Sequence, residues 1–461
     1  ALTDKKYDII VSQPSHPWTA GASHLYSREF DQLIRDHLKP GGVFLQWMNA
    51  AFIDVELTKS MGASLLDVFP HVRLYEPIQE VFMFVSSDRP IRPEDVPASS
   101  SGQTYCRMNS EDRELFHRLG IVTPTHLFSR LRLDEAELRR VCEGAELITD
   151  ERNLLAMRAP RLLESDTAPA IASFLDDHLP LFRGTEVLID LCPSVDLQVY
   201  LLAIVTQVNQ ERVRRIGYPL LTEPASHARI EAQIKRRYGN PRDYAEQLLR
   251  FATEYPDDSD LAVQLLSNNL MGNPVVLSEQ QETQLRAALS ADHRLIIELL
   301  EKLVAGDLEA AIEKDALLAR WPVDDAAYEW AVRLRLPWRL EAPPEQRVRR
   351  CNEAIEIIDH SAPFSNSAGL AFFRVSAAVR ANRPDTALGT AASQAHLINH
   401  AIDEDDRANL ASGISNLMRC YEILQDERFF RAASPVRYRT VLRAVEQAML
   451  KAGIPRPGFY R

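Results

Sequence analysis

The sequence predicts a two-part chain: half of a doubly wound α/β domain at the N-terminus, then a large all-α region. Three observations predict it. In the first 95 residues, short apolar β-branched runs alternate with helical periodicity in the order strand, helix, strand, helix, hairpin. From about residue 165 one helical pattern follows another, with only short polar breaks between them. Between these regions, Ser86 to Gly102 is rich in Pro, Ser and Asp and reads as a linker. The expected boundaries are 1–95 for the α/β part, 96–165 for the linker and short helices packing on it, and 166–461 for the helical region.

Each element has a local reason. Tyr7-Asp8-Ile9-Ile10-Val11-Ser12 is a β-branched run suited to a strand buried on both faces. It ends at Gln13-Pro14-Ser15-His16-Pro17-Trp18, where two prolines forbid helix and central strand alike. Ser27 to Leu38 places Phe30, Leu33, Ile34 and Leu38 on one helical face, and Lys39-Pro40-Gly41-Gly42 stops it. Val43 to Trp47 reads as a second buried strand, and Asp54 to Phe69 as a second helix. Val72 to Tyr75 and Val81 to Val85 flank a turn at Pro77, as a closing antiparallel edge hairpin would. Short helices are expected over Glu111 to Leu119, His126 to Leu131 and Asp134 to Cys142.

Composition excludes several classes. A chain of 461 residues is too long for one core. The net charge of −12, from 53 bases against 65 acids, lacks the basic footprint of a nucleic-acid binder. No apolar run reaches the roughly 18 residues of a membrane span, so no membrane segment is expected within this chain. The segment Ala1 to Lys6 is polar and does not read as a signal peptide. Cys106, Cys142, Cys192, Cys351 and Cys420 show no CxxC spacing, which suits reduced core thiols in a cytoplasmic setting. No metal site is expected: His71, His117 and His126 lack ligand-spaced companions, and His396 with His400 lacks a third ligand.

Four motifs in order carry a family resemblance. Tyr7-Asp8-Ile9-Ile10-Val11 with Ser15 and Pro17, then Phe30, then Leu38-Lys39-Pro40-Gly41-Gly42 with Gln46, resembles the spermidine synthase family. The segment Ser12 to Trp18 with Ala20-Gly21 is most similar to a bacterial spermidine-synthase-like branch. Glu143 to Asn153 resembles, more weakly, the Thr-Asp turn that follows the Rossmann domain there. The resemblance covers about a third of the chain. It implies the C-terminal half of a Rossmann-like domain of methyltransferase type, truncated at its N-terminus. It also implies a transferase using S-adenosylmethionine or its decarboxylated form. On that reading Ser12, Gln13, Ser15, Trp18, Tyr26, Gln46 and Thr149 would line the acceptor, with His16 or Asp150 as base.

Three departures qualify it. The family holds and deprotonates its polyamine with two strand-end aspartates, and here those positions are Gln13 and His16. Glutamine cannot take a proton at neutral pH, and histidine can, but it does not draw a cation as a carboxylate does. Ordinary polyamine synthesis is therefore not expected. The glycine loop and ribose-binding acid that such folds carry on their first two strands are absent from the sequence. The expectation is a fragment of a longer protein whose cofactor half lies upstream, so this chain alone should not bind the nucleotide. Finally, Trp18, Phe44, Trp47 and Phe52 crowd the strand ends, as core packing or as an apolar ligand wall.

In the helical region, Gly239 to Ala245, Gly306 to Ala311 and Asn382 to Ala387 share a turn residue, a cap or Pro, then Ala. Tyr255-Pro256-Asp257-Asp258 and Trp321-Pro322-Val323-Asp324-Asp325 lie 66 positions apart, near twice the roughly 34-residue period of tetratricopeptide hairpins. The full consensus is absent, so an irregular tetratricopeptide-like array is expected, able to present a face to a protein or peptide partner. Basic runs at Arg212 to Arg215, Lys235 to Arg237 and Arg347 to Arg350 read as solvated faces or a site for an acidic partner. Two functions follow: a transferase fragment acting on a small-molecule acceptor, or a non-catalytic interaction module in which the α/β half carries a helical scaffold. No Ser/His/Asp nucleophile pattern is present, since Ser15 lacks the G-x-S-x-G elbow.

Overall fold

A computed structural model of the chain describes residues 4–13, 21–78, 80–90, 121, 123–162, 167–193, 195–205, 208–238, 241–271, 275–322, 325–361, 368–403, 407–425 and 434–454. The chain divides into two compact units. One holds the sheet and the helices up to Thr222, the other the helices from Glu223 onward.

The first unit is built on a five-stranded mixed sheet in the order β1-β2-β4-β3-β5. Strands β1 (Tyr7–Ser12) and β2 (Leu38–Asn49) are parallel, with Ser12 opposite Gln46. Strand β4 (Val81–Ser87) is antiparallel to β2 and to β3 (His71–Ile78), and β5 (Leu131–Leu133) is antiparallel to β3. All four expected strands lie in one sheet. Two details differ from expectation. The hairpin is antiparallel as expected but does not form the edge, because β5 pairs outside β3. Leu131, read as helical, begins β5 instead; three residues are too short for alternation to show in sequence.

Helices α1 (Arg28–His37) and α2 (Val55–Val68) start where caps are supplied. The Ser27 hydroxyl accepts from Phe30 N, and Asp54 Oδ1 accepts from Leu57 N at 2.8 Å. Near the start of β2 the backbone is left-handed at Gly41 (φ +77°), and a side chain at Gly42 would meet the Lys39 carbonyl at 2.9 Å. Both helices cover one face of the sheet, where Phe44, Met48, Phe82 and Phe84 pack with Leu57, Met61 and Leu65. The opposite face is more open. Ile9 and Val11, expected to be buried, are 60% and 59% exposed, because β1 is an edge strand with only one face covered.

Every described cysteine is buried: Cys142, Cys192, Cys351 and Cys420. Among the described residues no helix is long and apolar enough to cross a membrane. Glu111 to Leu119 lies outside the described residues, as do Cys106, His117 and the linker from residue 91 to 102.

The regular elements of the second unit are all helices among its described residues, from Asp315–Leu318 to Pro384–Asp403 in length. Two of the three shared breaks make the same helix ending. Gly306 (φ +84°) and Asn382 (φ +56°) are left-handed, and the next residue bonds back across the turn, Asp307 N to Lys302 O and Arg383 N to Ala378 O. The two Pro-Asp breaks are also used. Asp258 caps the helix Ser259–Leu270 and accepts from Arg229, while Asp325 faces His293. The basic runs are not simply solvated: Arg236 is paired with Glu329, Arg212 with Asp177, and Arg350 with Glu353.

His293 ties three of these turns together. Its Nδ1 lies 2.7 Å from Ser259 Oγ and its Nε2 lies 3.1 Å from Asp325 Oδ1, while Ser290 N donates to Ser259 Oγ. Burial opposes charge on the ring, but Asp325 and Asp260 outweigh it and its pKa is raised. Stability from a raised histidine is complete below its unfolded value and is lost as pH rises through the folded one. His293→Gln is therefore expected to cost about 1.5–3 kcal/mol at pH 6 and clearly less at pH 9. Urea unfolding at the two values checks it, and an equal cost at both would refute it.

Candidate active site

The C-terminal ends of the parallel pair β1 and β2 are where an open α/β sheet offers a site. There a short 3₁₀ turn, Ala22–Tyr26, is held against the sheet by two bonds. Gln46 Nε2 donates to the Leu25 carbonyl at 2.7 Å, and the Tyr26 hydroxyl donates to the Trp47 carbonyl at 3.2 Å. Tyr26 and Gln46 are each only 1% exposed. They fix the turn from below and do not present their polar atoms to a ligand. Burial alone pushes the Tyr26 phenol well above its ordinary value.

The turn after residue 147 folds onto the same place. Arg28 N donates to Ile148 O at 2.8 Å, and Ile148 N donates to Ser64 Oγ at 2.8 Å. Thr149 Oγ1 accepts from Arg152 N at 3.0 Å and so closes the turn. Asp150 N donates to Glu29 at 2.9 Å, which sets its carboxylate at the N-terminus of α1. That carboxylate accepts from the Ser27 hydroxyl at 2.6 Å and lies 2.9 Å from His24 Nδ1. The Ser27 bond, then the His24 bond, hold the Asp150 carboxyl below the usual carboxylate range.

Of the residues singled out in sequence, Ser12, Tyr26, Gln46, Thr149 and Asp150 are gathered here, and Gln13 follows Ser12 as an exposed residue. Ser15, His16 and Trp18 lie outside the described residues. Phe44 is not a ligand wall: it is fully buried, stacked on Phe69 with centroids 6.0 Å apart. His24 was not singled out. Its partner Asp150 is 126 positions away, and no local spacing announces such a pair.

The pair Gly41-Gly42 sits at the opposite end of β2, and Asp150 and Glu29 accept from protein donors. A largely apolar groove of about 410 Å³ runs beside β1, lined by Ile9, Val11 and Leu33 with Tyr7 and His37 among others. Among the described residues no group of three His, Cys, Asp or Glu could hold a metal ion. No family model matches the chain, and no curated protein matches it.

Asp31 stands near this group and is anomalous. It is fully buried on α1, and neither carboxylate oxygen has a hydrogen-bond partner among the described residues. Burial, then the charge of Glu29, raises its pKa well above the ordinary value. The unfolded chain releases this proton near pH 4 while the folded one keeps it, so native stability falls as pH rises beyond that point. Asp31→Leu, close in volume, is expected to stabilise the chain by about 1–3 kcal/mol at pH 8 and much less at pH 4. A gain independent of pH would contradict the assignment.

Proposed function

We propose that this chain contributes the acceptor side of a transferase of the spermidine synthase-like class, on a Rossmann-like half domain of methyltransferase type. Its donor, S-adenosylmethionine or the decarboxylated form, is held by elements outside the described residues. The observation that carries this reading is the convergence of Ser12, Gln46, Tyr26 and the Thr149-Asp150 turn at the ends of β1 and β2. With Gln13 and His16 in place of two carboxylates, the acceptor is neutral or less cationic than a diamine. A hydrogen bond to a charged group contributes about 1.5–3 kcal/mol, so losing two weakens diamine binding at least several tens-fold.

The test measures transfer by the protein supplied with donor and acceptor. His16→Ala should lower turnover about a hundredfold with donor affinity nearly unchanged. Gln13→Asp with His16→Asp should shift preference toward putrescine-like amines. Efficient use of putrescine by the unaltered protein, or intact turnover in His16→Ala, defeats the loop argument. The second unit supports a second reading, an irregular tetratricopeptide-like scaffold for a protein or peptide partner, through its repeated left-handed helix endings at Gly306 and Asn382. Absence of transfer to any amine, thiol or hydroxyl acceptor would leave that reading in possession.

A further inference from the structure

We infer that His24 also accepts a proton at this site, in addition to the base of the loop reading above, with Asp150 as the residue that positions it. The inference rests on the transferase reading above but stands on its own geometry. The 3₁₀ turn that carries His24 is fixed to the strand ends through Leu25 and Tyr26, so the ring has a rigid base. Its Nδ1 faces Asp150 Oδ1 at 2.9 Å, and its side chain is 52% exposed. Among the described residues, Asp150 is the group its ring bonds.

A carboxylate on Nδ1 selects one tautomer. With the proton on Nδ1 and donated to Asp150, the lone pair lies on Nε2, facing away from the carboxylate. A hydroxyl, thiol or protonated amine of the acceptor placed there would pass its proton to Nε2. The heteroatom keeps the electron pair of the broken bond, and the imidazolium formed is balanced by Asp150. Asp150 is itself a poor base at neutral pH, because Ser27 and His24 stabilise its ionised form. Ser27 is the third member: its hydroxyl bonds Asp150 at 2.6 Å and its own position is fixed as the cap of α1. The order histidine, carboxylate, orienting hydroxyl is that of a general base whose ring is held by Asp150 and, behind it, Ser27.

A purely structural clamp would have the same distances, so the test must read the chemistry of Nε2. Diethyl pyrocarbonate modifies unprotonated imidazole nitrogen, and mass spectrometry reads the rate at each histidine of the full chain. If Asp150 activates His24, then at about pH 8.5, above the ordinary imidazole range, Asp150→Asn should slow carbethoxylation of His24 about threefold or more, while His37 and His360 react at unchanged rates. Asp150→Glu should restore part of the rate. If Asp150 only fastens the ring, Asp150→Asn frees it, and the rate at His24 stays the same or rises; that result overturns the inference. The ¹⁵N shifts of the ring give a second measure. The unaltered chain should show the Nδ1–H tautomer at His24, and an Nε2–H tautomer would overturn the assignment equally. Failure of the wider reading looks different: no transfer from a sulfonium donor to any acceptor, with His24 reactivity still dependent on Asp150.

Discussion

Replacing Glu329 by alanine is expected to cost about 3–5 kcal/mol, the usual result of removing the buried partner of an ion pair. Glu329 is 4% exposed and is paired with Arg236 on one side and Arg333 on the other. Both guanidinium groups also lie over the Trp330 ring, at 5.9 and 4.9 Å from its centroid. Burial works against the charge on Glu329, but the two arginines outweigh it and hold its carboxyl below the ordinary value. The contribution is therefore present above the unfolded carboxyl value, near pH 4, and is lost as pH falls. Urea unfolding followed at Trp330 measures it. Replacing Arg236, Glu329 and Arg333 together by methionine should recover much of the loss, because no charge of the cluster is then left without its partner. A single-variant cost below about 1 kcal/mol would show that the cluster is not closed to water.

The second large effect lies in the other unit. Phe44→Ala is expected to cost about 3–5 kcal/mol, the transfer of a phenyl group plus the cavity it leaves. Phe44 is fully buried at the centre of β2, stacked on Phe69 and edge-on to Phe30 at 6.4 Å. It joins both covering helices to the sheet, so the loss should appear in the amide exchange of β2 and β4 together. Phe44→Leu should cost clearly less, since most of the volume is kept. Loss of protection confined to β1, which is already an edge, would count against this account.

Local signals made the strands and helices legible. Tyr7 to Ser12, the cap residues Ser27 and Asp54, and the glycine stop at Gly41-Gly42 act within one turn of themselves. The helix endings at Gly306 and Asn382 were legible for the same reason, since each depends on the backbone of its own turn. The candidate site was legible only in part. Asp150 was visible as part of a motif, but its partners Ser27 and His24 meet it through folding across more than 120 residues.

By itself, the sequence determined the α/β beginning, the helical remainder and the acidic charge, because periodicity, caps and composition are local or additive properties. Tertiary structure decided what those pieces do. It placed β4 inside the sheet, opened one face of β1, and turned Tyr26 and Gln46 into supports beneath the turn that carries His24. It also took Arg236 from a basic run that reads as solvated and paired it, half-buried, with the buried Glu329. The physical reason is common to all four. Burial, register and pairing depend on which distant segment arrives at each residue, and neighbours in sequence carry no record of that.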